Sequence, residues 1–334
     1  MPTSGSWNYG VTALQIITSA AEDIGAIANG QSLDSNDLAT FLRTLNLLVK
    51  QWQGTSDKFP GLKVWTRQRV VLFPVYNQSR YLVGPASSDD RASVNSLTTL
   101  LGANKAANAT SVTVSSTTGM TAADIIGFVL NDGTVGWTTI SSVDSATGLT
   151  LPANSLGAAA SNAVVYTFTS KAQRFVEIEA AALRDNSTLN QPVDTPLQIY
   201  TDVQQYENVV QKQALGDPTS ILVEYQRINT AITCNFAAAN VYKSLRLTVI
   251  YPSEDYDDAA GADDIAYPQE YYAALEWELA RRCAPKFGRP WTDDMKEHWT
   301  IAVKDGVNFN PGDTSLHFEP GRDTATTDSI FTRP

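Results

Sequence analysis

The side chains that most often carry catalysis are scarce in this sequence. Its two histidines are His298, in a late helix-like segment, and His317, in a C-terminal stretch without periodicity. Its two cysteines, Cys234 and Cys283, lie far apart and outside any Cys-x-x-Cys pattern, which predicts buried, reduced thiols. The sequence contains neither a glycine-rich phosphate loop nor a Gly-x-Ser-x-Gly elbow. We therefore expect no catalytic set, no cofactor and no zinc site.

Carboxylates are the abundant reactive groups, and one run of them lies between Pro252 and Glu270 with no basic residue among them. The run departs from a calcium loop, because Ala260 stands where the invariant glycine belongs and Ala266 replaces the terminal glutamate. We expect a solvated acidic loop, with loose divalent-cation binding as the alternative. The aspartates of this loop are Asp255, Asp257, Asp258, Asp263 and Asp264.

A second set of carboxylates, Glu276 and Glu278, lies in a helix-like segment and raises the possibility of glycoside hydrolysis. Two residues that are two positions apart face different sides of a helix, so these two do not form a local pair. A cell-wall glycosidase is nevertheless kept as an alternative function, because carboxylates are abundant in the chain.

The net charge and the chain length limit which functional classes and how many domains the chain can have. The net charge of −11 argues against a chain that wraps nucleic acid, although an acidic wall suits a conduit through which DNA passes. The 334 residues are enough for two or three domains.

Apolar periodicity predicts the elements that would position these groups. Helices are expected over 12–28 and over 35–52, the second with Ser35 or Asn36 as the cap. Phe41, Leu45 and Trp52 belong to the apolar face of this second helix. A further helix is expected after Pro268, with one stripe formed by Tyr271, Leu275, Leu279 and Arg282 or Cys283, and a last helix is expected after Thr292 as its cap. Between 64 and 84, two strand-like segments flank Asn77-Gln-Ser, which predicts a hairpin.

Residues 85–170 differ from their flanks in composition, because they are mostly Ser, Thr, Ala, Gly, Asn and Val. Short strand patterns separated by turn residues predict an inserted all-β sandwich or barrel. The fold class expected is therefore α+β. It has a discontinuous helical-bundle core with accompanying strands over 1–84 plus 171–305, the inserted β domain, and an extended C-terminal arm over 306–334.

Several short segments, in order, resemble one known family. They are Ser35 to Trp52, Arg80-Tyr-Leu-Val-Gly-Pro, Leu197-Gln-Ile-Tyr, Ile250-Tyr-Pro before the acidic loop, Pro268 to Ala280, and Ala284-Pro-Lys-Phe-Gly. The sequence resembles the head-to-tail adaptor, or tail accessory factor, of short-tailed phages, also called the packaged-DNA stabilisation protein. The likeness covers roughly 1–84 and 171–290, and this chain departs from a compact member by its large insertion.

The resemblance implies a non-enzymatic structural protein of the virion, made in the host bacterial cytoplasm and located at the head-tail junction. It implies a homo-oligomeric ring of about twelve copies that binds the portal protein and a downstream tail nozzle, needle or fibre protein. DNA would pass through the lumen without sequence-specific binding, and no membrane insertion is expected. The acidic loop would face this channel, and the arm would grip the portal through Phe309, Phe318, Arg322 and Phe331. A host- or fibre-binding role for the inserted β domain is the second alternative.

Overall fold

The computed structural model describes residues 9–53, 66–85, 91–188, 192–209, 212, 214–256 and 263–309. Within these residues, eighteen strands in five sheets dominate over five short α-helices. The predicted α+β fold with a helical-bundle core is therefore wrong. The physical reason is that the strands between residues 67 and 83 and between 177 and 250 pair with one another and bury one face of each sheet.

The chain divides into two compact units, one formed by 1–62 with 255–334 and the other by 63–254. Residues 91–170, which contain most of the predicted inserted domain, lie within the second unit. The predicted domain limits at 85–170 and 306–334 stay predictions.

The described residues form five α-helices. In chain order they are α1 (Ala13–Asp23), α2 (Ser35–Trp52), α3 (Val203–Glu207), α4 (Tyr272–Cys283) and α5 (Asp293–Phe309). No helix among the described residues is long and apolar enough to cross a membrane.

Side-chain caps begin α1 and α2. Thr12 and Gln15 form a reciprocal capping box at the start of α1. Asp34, rather than the predicted Ser35 or Asn36, caps α2 by accepting a hydrogen bond from the Asn36 amide.

The first unit is built around α4. A 3-10 turn over Gln269–Tyr271 leads into this helix, and a second over Ala284–Phe287 follows it and ends at Gly288, whose φ of 62° suits glycine. The predicted stripe of α4 is confirmed, with Cys283 as its buried last member. Large apolar side chains from α1, α2, α4 and the 3-10 turn before α4 share one core: Ile16, Ile17, Phe41, Leu45, Leu48, Trp52, Tyr271, Leu275 and Leu279.

The second unit is a β structure with one short helix, α3. Its strands are β1 (Arg67–Leu72), β2 (Arg80–Val83), β3 (Ala92–Ser93), β4 (Ser96–Leu100), β5 (Ser111–Thr113), β6 (Ile125–Val129), β7 (Val135–Thr139), β8 (Ser142–Val143), β9 (Gly148–Thr150), β10 (Val164–Phe168), β11 (Glu177–Asp185), β12 (Val193–Pro196), β13 (Gln198–Tyr200), β14 (Ala214–Gly216), β15 (Ser220–Tyr225), β16 (Thr230–Cys234), β17 (Phe236–Ala238) and β18 (Lys243–Ile250). The sheet orders are β12-β11-β18-β1-β3, β4-β10-β6-β7, β13-β15-β16-β2, β5-β9-β8 and β14-β17.

The five-stranded sheet and the β13-β15-β16-β2 sheet share a core. Alternate residues supply it, such as Val70 and Leu72 from β1 and Tyr81 and Val83 from β2. The predicted hairpin between these two strands is wrong, because β1 pairs with β18 and β3 whereas β2 pairs with β16.

Residues 91–170 hold a smaller β structure with its own core between the β4-β10-β6-β7 and β5-β9-β8 sheets. An aromatic cluster joins this β structure to Phe73, the residue that follows β1. Phe73 packs against Trp137, Tyr166 and Phe168. The Tyr166 hydroxyl donates a hydrogen bond of 3.0 Å to the Val241 carbonyl. The block is therefore joined to the larger sheet by packing as well as by its two chain connections.

Candidate functional site

The residues that could do acid–base chemistry are engaged in structural contacts. His298 stacks on Trp277 with ring centroids 5.2 Å apart. Both cysteines are buried and free, as the sequence predicts. In the part of the chain that the structure describes, no group of three or more His, Cys, Asp or Glu side chains is arranged to hold a metal ion.

A pair of carboxyl groups joins α1 to α4. Glu276 and Asp23 form a hydrogen bond with each other. Burial raises the pKa of Glu276 to about 7, and the neighbouring charge of Asp23 adds to the rise. Burial also raises the pKa of Asp23, against the lowering effect of the bond from Glu276. The folded pair therefore binds a proton more tightly than the same carboxyl groups do in water.

The Oδ2 atom of Asp23 is buried and has no hydrogen-bond partner among the described residues. A hydrogen-bonded pair is closer than the 5 Å or more that separates the two carboxyls of a glycosidase. The geometry therefore fits a structural proton-sharing pair better than a hydrolytic one.

The second carboxylate of α4, Glu278, is held as an ion. Its side chain is 2% exposed and accepts hydrogen bonds from Arg281 at 2.6 and 2.9 Å, from Arg282 at 2.9 Å and from Trp299 Nε1 at 2.7 Å. Burial opposes ionisation, yet the two arginines hold the pKa of Glu278 below its ordinary value. Because Trp299 belongs to α5, this cluster fixes α4 against α5.

The acidic segment is anchored to α2 at its start. Asp255 forms an ion pair of 2.8 Å with Lys50. The Asn46 amide donates to the Tyr256 carbonyl at 2.7 Å and accepts from the Tyr256 amide at 2.9 Å. These two hydrogen bonds pair the Asn46 side chain with the backbone of Tyr256 and hold the start of the acidic segment beside α2.

The far end of the acidic segment is tied to the start of α1. The Ala13 amide donates to the Asp263 carbonyl at 2.9 Å, and Asp264 forms an antiparallel bridge with Thr12. Asp257 and Asp258 lie outside the described residues. The backbone of the segment is therefore fixed at both ends to the helices of the first unit.

An unfilled surface groove lies beside this anchor on the outer face of α2. Its volume is about 420 Å³, and its lining includes Leu42, Leu47, Lys50 and Asp255. Leu47 is 61% exposed, in contrast to the fully buried Leu45 and Leu48. We call this feature the α2 groove. It combines an apolar floor with a cation and an anion at its rim, a composition common at protein interfaces.

Of the four residues predicted to grip the portal, Phe309 alone lies among the described residues. Phe309 is the last residue of α5, so the helix extends three residues beyond Gly306, where the predicted arm begins. Phe318, Arg322 and Phe331 lie outside the described residues.

Sequence reasoning missed the residues that organise these sites. Asn46 and Tyr256 are 210 positions apart, and no periodic signal links them. Asp23 ends α1 and shows its role only once α1 lies against α4.

Comparison with known proteins adds no assignment, since no family model matches this sequence and no curated protein is detectably similar.

Proposed function

We propose that this chain is a non-enzymatic structural component of a phage virion, a ring adaptor between portal and tail. In this role it extends the DNA channel and helps to retain packaged DNA. The observation that carries the proposal is the ordered set of sequence segments that resemble the adaptor family, the longest of which forms α2.

The exposed face of α2 supports this assignment. A ring requires each copy to present a surface to its neighbour, and heterologous contacts close into rings. The α2 groove offers exposed Leu47 beside Lys50 and Asp255. We assign this groove to contact with a second copy of the chain.

The acidic segment supports the channel role. Asp255 is 71% exposed, and the segment that it begins carries four further aspartates and no basic residue. A wall of this sign repels phosphates, so DNA slides past without being held.

Substitution in the α2 groove tests the proposal. Leu47→Asp removes an apolar contact and adds a charge on a solvent-facing side chain, so the monomer should fold normally. We expect the variant to lose ring assembly on the portal, measured by light scattering on a sizing column. Val143→Asp, at an exposed apolar position of β8, serves as the control and should assemble normally.

The result that contradicts the assignment is a Leu47→Asp protein that assembles as well as wild type. If instead both aspartate variants assemble but Val143→Asp alone fails to attach a fibre or host receptor, the alternative role of the 85–170 block gains support.

A further inference from the structure

The outer face of the five-stranded sheet carries a cluster of arginines. Arg69 lies on β1, Arg246 on β18 and Arg184 on β11, so three adjacent strands each contribute one. Strand register sets their spacing: Arg69 is opposite Thr248, and Arg184 is opposite Asp194 of the edge strand β12. Alternation along each strand turns these side chains away from the shared core.

A cavity of about 520 Å³ opens among these side chains. Between the arginines, β11 contributes Ala180 and Ala182, whose side chains end at Cβ. Thr248 adds a hydroxyl to the lining. The cavity therefore has a shallow floor with hydrogen-bond donors around its sides, and its volume exceeds that of a small ligand group.

The charges around the cavity do not balance. Arg184 binds Asp194 through two hydrogen bonds of 2.6 Å, which satisfies this pair. Arg246 reaches the same carboxylate only at 3.6 Å. The Arg69 side chain is exposed and forms no hydrogen bond or ion pair with another residue that the structure describes. Three cations thus face one anion, in a chain whose net charge is −11.

The surroundings of the cavity change the pKa of Arg246. Burial lowers the pKa of Arg246 and the nearby charge of Arg184 lowers it further, whereas Asp194 raises it and Arg69 has a smaller lowering effect. Guanidinium groups are held close together despite mutual repulsion, which an anion between them would relieve.

We propose that this cavity binds a phosphate group between Arg69 and Arg246. Guanidinium groups match the oxygens of a phosphate through paired N–H donors. The excess of two positive charges equals the charge of a phosphate dianion. Arg184 keeps its carboxylate partner and fixes the position of Asp194, and Thr248 supplies a neutral donor. The phosphate comes either from the free ion or from a nucleic-acid terminus.

Titration with inorganic phosphate tests the proposal. We would measure binding by calorimetry at constant ionic strength with chloride as the background anion. Wild type should show saturable binding, and Arg69→Gln with Arg246→Gln should weaken it at least tenfold. The matched control is Arg80→Gln, because Arg80 lies in the same unit, its side chain is exposed, and its ion pair with Glu224 is long at 3.7 Å. The control should bind as wild type does.

Two results would overturn the proposal: no saturable phosphate binding by the wild type, or an equal loss in the Arg80→Gln control. Arg246 also lies near Asp194, so its substitution removes an ion pair. Arg69→Gln alone is therefore measured as well, because it removes no ion pair of the described residues. It should still weaken binding severalfold, and unchanged affinity in this variant would also refute the site.

A second titration identifies the source of the phosphate. A single-stranded oligonucleotide with a 5′-phosphate is compared with the same oligonucleotide lacking it. Competition with inorganic phosphate by the phosphorylated form alone supports a nucleic-acid terminus as the ligand. Absence of competition by either form supports the free ion.

Discussion

The carboxyl pair of α1 and α4 makes stability depend on pH in a way that one substitution should remove. Glu276→Gln keeps the shape of the side chain and eliminates its ionisation. The ordinary pKa of Glu276 is 4.5, and burial beside Asp23 raises it to about 7 in the folded protein. The folded state therefore keeps a proton that the unfolded chain loses between these two values. The stability that this proton contributes is complete below pH 4.5 and is lost as the pH rises through 7.

The size of this effect follows from the difference between the two pKa values. That difference corresponds to about 3 kcal/mol of unfolding free energy at about 1.4 kcal/mol per pH unit. The Glu276 side chain is only half-buried, so solvent screening reduces the expected value to about 1–2 kcal/mol. Glutamine carries no such penalty above pH 7, and its amide donates a hydrogen bond to Asp23 in place of the carboxyl proton.

Urea unfolding of the two proteins at pH 4.5 and pH 8 measures the effect. We expect Glu276→Gln to be more stable than wild type by about 1–2 kcal/mol at pH 8 and nearly equal to it at pH 4.5. Glu297→Gln, an exposed position on α5, removes the same charge without a buried partner and serves as the control. The reasoning is refuted if Glu276→Gln is no more stable at pH 8, or if its advantage is the same at both pH values.

Three further substitutions probe the packing. Glu278→Ala should lower the unfolding free energy by about 1–3 kcal/mol in urea, because Trp299 Nε1–H and two partly exposed arginines lose their shared acceptor; a loss under about 0.5 kcal/mol would refute the clamp. Gly127→Ala places a Cβ atom 2.6 Å from the Trp137 ring and should cost about 1–3 kcal/mol in thermal melts, whereas Gly10→Ala meets no atom within 4 Å and should be silent. Phe73→Ala should cost about 3–5 kcal/mol and speed proteolysis within 91–170, and an unchanged cleavage pattern would show that the block is independent of the larger sheet.

Periodicity predicted the helices well because their cause is local. The α2 stripe has Phe41, Leu45 and Trp52 at helical spacing, and all three are buried as expected. Thr292 accepts a hydrogen bond from the Met295 amide at the start of α5, which confirms the predicted cap. Short strands at 111–113, 125–129 and 164–168 were also predicted, since turn residues separate them.

The fold class was wrong because the strands depend on distant partners. The segment Glu177-Ile-Glu-Ala-Ala-Ala-Leu-Arg-Asp contains good helix formers and still forms β11, since it lies between β18 and β12. Strand propensity depends on such neighbours. The helical segments have strong apolar periodicity and therefore dominated the sequence pattern. The strand β4, Ser-Leu-Thr-Thr-Leu, escaped prediction for the same reason, as β10 provides its pairing.

The candidate sites were partly visible in the sequence. The acidic composition of the segment that begins at Asp255 is a local property, and the sequence showed it directly. Its attachment to α2 through Asn46 is a long-range contact between a side chain and the backbone, which no local pattern encodes. The arginine cluster was hidden for a related reason, since Arg69, Arg184 and Arg246 meet only through strand pairing.

The adaptor role is tested most directly by the mass of the purified protein, alone and after mixing with the portal protein of the same phage. Mass photometry resolves the assembled species, and electron cryo-microscopy of the mixed sample shows their symmetry. The account predicts a closed ring of many copies seated on the portal. A protein that stays monomeric and never joins the portal, at any concentration tested, would contradict it.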